Sequence, residues 1–242
     1  MNRAVFLITL WLVIVSALLN TQIVETDARS SKLIMRSFHF PQCFQDAELT
    51  RSLATLKLQG GADVAKVSEY LLTKARTAPA CRSQVIQALI SSLGQARNPT
   101  TNQYENYFLW EHGATLLAEL KATEALDQLI ANIDLTDGLS TSFSHFPALV
   151  AILKIGEPGI QKLQNALMND SKPSRRKFAA LAISYIGGGE AKRALTTAMA
   201  GETDPCVKNF LSVSLQAFDN KTKPNHISSE LNGKWLSAFY CL

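Results

Sequence analysis

Four histidines and four cysteines are the residues with the most chemistry to offer. His39, His112, His145 and His226 stand too far apart to pair at metal-ligand spacing, and HExxH is absent. Glu111 and His112 are adjacent, but neighbours in a helix diverge. Each histidine reads as a surface residue. No GxSxG marks a serine nucleophile. Gly187-Gly188-Gly189 resembles a phosphate loop only in glycine content. No strand pattern precedes it and no Lys-Ser/Thr follows, so it reads as a turn between helices.

The cysteines, Cys43, Cys81, Cys206 and Cys241, carry more. Zinc sites favour close pairs such as CxxC, which are absent. An even count in an exported chain reads as disulfides. Two cysteines lie early and two late, 38 and 35 residues apart, about one helical hairpin each. Nearest-neighbour pairing, Cys43–Cys81 and Cys206–Cys241, is therefore expected. Such bridges would staple the two ends of the folded chain, each worth roughly 4 kcal/mol through loop closure.

Basic and aromatic clusters are the candidate binding groups. Lys172, Arg175, Arg176 and Lys177 lie together, with Lys192 and Arg193 on the following helix. Arg176 reads as structural. Arg175, Lys192 and Arg193 are candidates for an anionic partner, though too few to hold nucleic acid. Tyr104, Tyr107 and Phe108 share a helical face and read as core. Trp110 is read as pointing elsewhere, a candidate surface anchor. Phe143, His145 and Phe146 lie in a long loop, 134–146, that either binds a partner or folds onto the core.

The elements that must position these groups are helices. The chain has 242 residues, 47% hydrophobic and 18% charged, which excludes wholesale disorder. A net charge of +4 is too weak to imply nucleic acid. Ala4–Leu19 is uncharged and apolar after Arg3, which describes a secretory signal. Its sixteen residues span roughly 24 Å, short of a bilayer core. Cleavage after Ala17 or Ala28 fits, and an uncleaved membrane anchor or a buried core helix are the alternatives. Removing residues 1–28, with Arg3, Glu25 and Asp27, leaves +5. Residues 29–45 read as an irregular lead-in, 46–100 as degenerate helical repeats and 101–218 as clearer ones. Residues 219–242 read as a linker and a cap that folds back through Trp235, Leu236, Phe239 and Cys241. Asn169-Asp170-Ser171 and Asn220-Lys221-Thr222 are glycosylation sequons, meaningful in a eukaryotic secretory pathway.

Apolar residues recur at helical spacing from Leu49 to Phe218, and no segment alternates with period two. Leu120, Ile155 and Ile186, each ending a helix, lie 35 and 31 residues apart. Asp170 and Asp204 lie 34 apart, Pro173 and Pro205 32 apart. A period in the low thirties with two helices per unit means an α-solenoid.

The stretch IGEPGIQKLQNALMNDSKPSRRKFAALAISYIGGGEAKRAL resembles HEAT-like repeats of the short bacterial type, as found in phycobilin lyases. Gly156-Glu157-Pro158 fits the family's turn. Asp170 with Pro173 and Arg176, and Asp204 with Pro205 and Lys208, fit its repeat junction. The resemblance is good over 147–218, fair over 101–146 and weak over 46–96. It implies an all-α fold, a right-handed α-solenoid of stacked antiparallel helix pairs, with Arg176 pairing junction aspartates. The function expected is that of an exported, non-enzymatic scaffold, secreted or periplasmic, whose partner is another protein. No cofactor, metal or nucleic acid is implied, and membrane contact follows only if Ala4–Leu19 is retained. Two alternatives remain. One is a phycobilin-lyase-like chromophore attachment protein, which a stable visible absorbance shift with bilin would support. The other is a membrane-tethered adaptor.

Overall fold

Prolines and glycines divide the apolar periodicity into ten helices among the described residues. The computed structural model describes residues 43–96, 103–136, 145–219 and 240–241. The helices are α1 (Asp46–Thr55), α2 (Ala62–Thr77), α3 (Pro79–Gln95), α4 (Gln103–Glu119) and α5 (Leu126–Ile130). They continue as α6 (Pro147–Ile155), α7 (Ile160–Asn169), α8 (Pro173–Ile186), α9 (Gly188–Gly201) and α10 (Pro205–Asp219). No strand occurs among the described residues. The signal or anchor segment, most of the lead-in and nearly all of the C-terminal cap lie outside them.

Pro79, Pro147, Pro173 and Pro205 each open a helix. Proline suits that place because the first N–H has no intrahelical acceptor. Ala78 and Lys172, each before a proline, are extended, which separates their helix from the one before. Gly156 and Gly187 end α6 and α8 with φ of 85° and 75°, conformations that only glycine adopts freely. A Cβ on Gly187 would meet nothing within 4 Å, so the cost of replacing it is backbone strain alone. Gly187→Ala is expected to destabilise the fold by about 1–3 kcal/mol. A urea titration beside Gly201→Ala, at a glycine of ordinary φ with open space around it, measures this. Equal midpoints for the two variants would remove the argument.

Each helix packs against the one two places along. The even-numbered helices form one series of contacts, α2–α4–α6–α8–α10. The odd-numbered helices form another, α1–α3–α5–α7–α9. The inner even helices α4, α6 and α8 are covered on several sides: every residue from Phe178 to Ser184 in α8 is buried. Helices α7 and α9 bury one stripe each, Ile160, Leu163 and Leu167, and Ala191, Ala194, Leu195 and Ala198. Alanines 179, 180 and 182 are fully buried, and their small size lets the even helices approach closely. Buried Ser184 and Ser214 return their hydroxyls to the carbonyls of Ala180 and Phe210, at 2.7 and 2.8 Å, so neither is left unsatisfied.

Two disulfides, Cys43–Cys81 and Cys206–Cys241, have Cα separations of 5.2 and 5.5 Å, ordinary values for such bridges. The first is reinforced at once. Phe44 N–H donates to Gln84 Oε1 at 3.3 Å, Gln84 Nε2 donates back to the Phe44 carbonyl at 3.4 Å, and the Phe44 ring is 1% exposed. The end of the stretch read as irregular lead-in is therefore core. Phe146 is likewise buried, its ring centroid 4.7 Å from that of Phe178, so the 134–146 loop meets the core at its last residue.

Candidate functional site

Polar side chains tie each helical unit to a later one. Arg82 Nη1 donates to Glu124 Oε1 at 2.6 Å, Lys162 Nζ to Asp127 Oδ2 at 2.6 Å, and Lys121 Nζ to the Lys154 carbonyl. These pairs are exposed, and such pairs contribute about 0–1 kcal/mol each.

The junction at the start of α8 is different. Arg176 Nε and Nη2 donate to the two Glu202 carboxylate oxygens at 2.8 and 2.9 Å, a bidentate pair. Its Nη1 donates to the Asp170 carbonyl at 2.9 Å. Glu202 Oε1 also accepts the amides of Thr203 and Asp204, at 3.0 and 2.8 Å. The Arg176 side chain is 13% exposed and that of Glu202 6%. Two residues after Glu202, Asp204 Oδ1 accepts the amides of Cys206 and Val207, capping α10. Asp170 Oδ1 accepts the amide of Lys172, the residue that precedes Pro173, and so closes the turn before α8 without capping it. Burial alone would raise the Glu202 carboxyl, but the Arg176 hydrogen bonds, the two amides and the guanidinium charge outweigh it and hold it below the usual carboxylate value. The same hydrogen bonds hold Arg176 above its ordinary value.

The pH dependence follows. Glu202 has a lower value folded than unfolded, so its contribution is complete above the ordinary glutamate range and is lost as pH falls through the depressed value. Glu202→Gln is expected to lower stability at neutral pH and to flatten the acid limb of a urea-midpoint profile taken from pH 7 to pH 3. Parallel profiles for the two proteins would count against the pairing.

The candidate binding residues are not brought together. Arg175 Nε lies 3.3 Å from Asp134 Oδ1 and its Nη1 3.6 Å from Asp170 Oδ2, with the side chain 14% exposed. It is paired and largely covered, so it offers no open charge to an anion. Lys192 and Arg193 are exposed, but α9 runs back along α8. Since Arg176 meets Glu202 just after α9 ends, Lys192 and Arg193 lie roughly 14 Å along the helix from that junction. The expected basic cluster is split between the two ends of a hairpin. Lys177, half-buried, lies near Asp204. Burial holds its ammonium below the usual lysine value and Asp204 works the other way.

Trp110 is not a surface anchor. It is 0% exposed, and its Nε1 is a buried donor without a hydrogen-bond partner. The signal was present in the sequence. Trp110 stands three residues after Tyr107 and seven before Leu117, at the spacing of one helical face, and both of these are buried. Phe108 is half-buried and stacks on His112, centroids 6.5 Å apart, while His112 Nε2 donates to the Leu58 carbonyl at 3.2 Å. Phe143 and the Tyr104 side chain lie outside the described residues. Among those residues, no group of three His, Cys, Asp or Glu side chains is placed to hold a metal ion.

A cleft of about 360 Å³ opens between α7 and α9. Its walls are Leu167, Met168, Thr197, Ala198 and Gly201, and the Arg176–Glu202 pair lies at its edge with Thr203. Met168 is 51% exposed there. Glu202 belongs to no motif or repeat in the sequence, whereas Asp134, 36 residues before Asp170, continues the Asp170–Asp204 spacing. No family model, curated protein or solved structure matches the chain.

Proposed function

We propose that this is an exported, non-catalytic scaffold of HEAT-like helical repeats, a right-handed α-solenoid that binds another protein on the face built by its odd-numbered helices. What carries the reading is the regular packing of each helix on the helix two places along, α1 to α10, which is how stacked helix pairs bury a continuous core. The one-sided burial of α7 and α9 leaves their polar faces and the cleft between them open to a partner. The charged groups at the junction are consumed in ion pairs, which fits a supporting role better than acid–base chemistry. Two disulfides fit an oxidising compartment. No helix among the described residues is long and apolar enough to cross a membrane.

Photo-crosslinking residues at positions 168 and 197 of the exported chain, with position 69 of α2 as the control, test this. A protein adduct from the native compartment at 168 and 197, absent at 69, is the expected result. No adduct at either position, or equal labelling at 69, overturns the reading.

A further inference from the structure

The two disulfides have unlike surroundings. Cys81 sits inside α3, 5% exposed, with Thr77 Oγ1 at 3.8 Å from its sulfur and the buried Phe44 following Cys43. Cys206 is the second residue of α10 and half-buried, while Cys241 is exposed. Lys177, from the second turn of α8, places its ammonium Nζ 3.7 Å from Cys241 Sγ. Asp204 is the acidic group facing that lysine, and its Oδ1 accepts the Cys206 and Val207 amides.

A disulfide opens when a thiolate attacks one of its sulfurs, and the rate follows access to that sulfur and stabilisation of the negative charge that moves along the three-sulfur line. We propose that Cys206–Cys241 is a thiol–disulfide exchange site for dithiols, with Cys241 Sγ the attacked atom and Lys177 the cation that attracts the incoming thiolate and then steadies Cys241 when it leaves as a thiolate. The attacking thiolate forms a bond to Cys241 Sγ and the Cys206–Cys241 bond breaks. Cys206 leaves as a thiolate and takes a proton from water. The second sulfur of the dithiol, as thiolate, then attacks the sulfur already joined to Cys241. Cys241 leaves as a thiolate beside the Lys177 ammonium, and the reductant departs as its own disulfide. Two electrons pass from the dithiol to the protein bridge, and Lys177 favours both steps. The Cys43–Cys81 bridge has no such access to its buried sulfur and is the structural one.

The test uses the folded, oxidised full chain. Limiting dithiothreitol is added, samples are quenched with N-ethylmaleimide over time, and labelled peptides are mapped. Labelling of Cys206 and Cys241 is expected to run about tenfold or more ahead of Cys43 and Cys81. Excess glutathione, a monothiol, is expected to leave its mixed disulfide on Cys241. Lys177→Gln is expected to slow the opening about threefold or more, and Lys177→Arg to restore it, with the Cys43–Cys81 rate unchanged in both. A urea midpoint for each variant verifies folding, and the comparison of the two bridges needs no variant. Simultaneous opening of both bridges, an adduct on Cys206, or a wild-type rate in folded Lys177→Gln overturns the proposal.

Discussion

Replacing Arg176 with alanine is expected to lower the unfolding free energy by about 3–5 kcal/mol at neutral pH. The substitution removes three hydrogen bonds and leaves the Glu202 carboxylate, 6% exposed, without its countercharge. The Thr203 and Asp204 amides still reach it, but they do not cancel a buried charge. Glu202 then relieves the penalty by taking a proton, so the variant should gain stability relative to wild type as pH falls. The double variant Arg176→Met with Glu202→Gln is expected to recover most of the loss, because neither buried side chain is then charged. Urea denaturation of the two variants beside wild type measures both effects. A loss under about 1 kcal/mol for Arg176→Ala would place this pair with the exposed ties such as Arg82–Glu124.

Trp110→Ala is expected to cost about 3–5 kcal/mol, and Trp110→Phe less than about 1.5 kcal/mol. The indole is fully buried in α4, which packs against α2, α3 and α6, so truncation opens a cavity in the centre of the helix series. Phenylalanine leaves a smaller void. It also removes a buried N–H that has no acceptor, and that offsets part of the lost packing. Thermal or urea unfolding of both variants separates the terms. If phenylalanine costs as much as alanine, the N–H is contributing a hydrogen bond, and the assignment of an orphaned donor fails.

The helices were readable because their signals are local. Pro173 and Pro205 announce helix starts, Gly156 and Gly187 announce ends, and the spacing of Ile160, Leu163 and Leu167 announces a buried stripe. The cysteine pairing followed from position alone. The candidate site was less readable because it depends on which helices are neighbours. Lys192 and Arg193 are close to Arg175 in sequence, yet the hairpin reverses direction between them. Glu202 has no periodic partner, so nothing marks it until the chain folds and brings it to Arg176. Trp110 failed for a different reason. The i, i+3 and i, i+7 spacings from Tyr107 to Trp110 and from Trp110 to Leu117 placed it on a buried face, and grouping Tyr107 with Tyr104 and Phe108 alone hid that.

The packing of each helix on the second one along also governs how the protein comes apart. In the proposed repeat stack, contacts of that kind are local along the chain, so the order of loss on unfolding is set by neighbours rather than by one shared centre. A helix at either end of such a series is held from one side only and is the first to fray. The cross-links fall on those ends, Cys43–Cys81 spanning α1 to α3 and Cys206–Cys241 anchored at the start of α10. Amide protection should therefore be nearly level along the series while both bridges stand. When the Cys206–Cys241 bridge opens, protection should decay from α10 inward, which makes the redox state of one bond the control on where the fold begins to loosen.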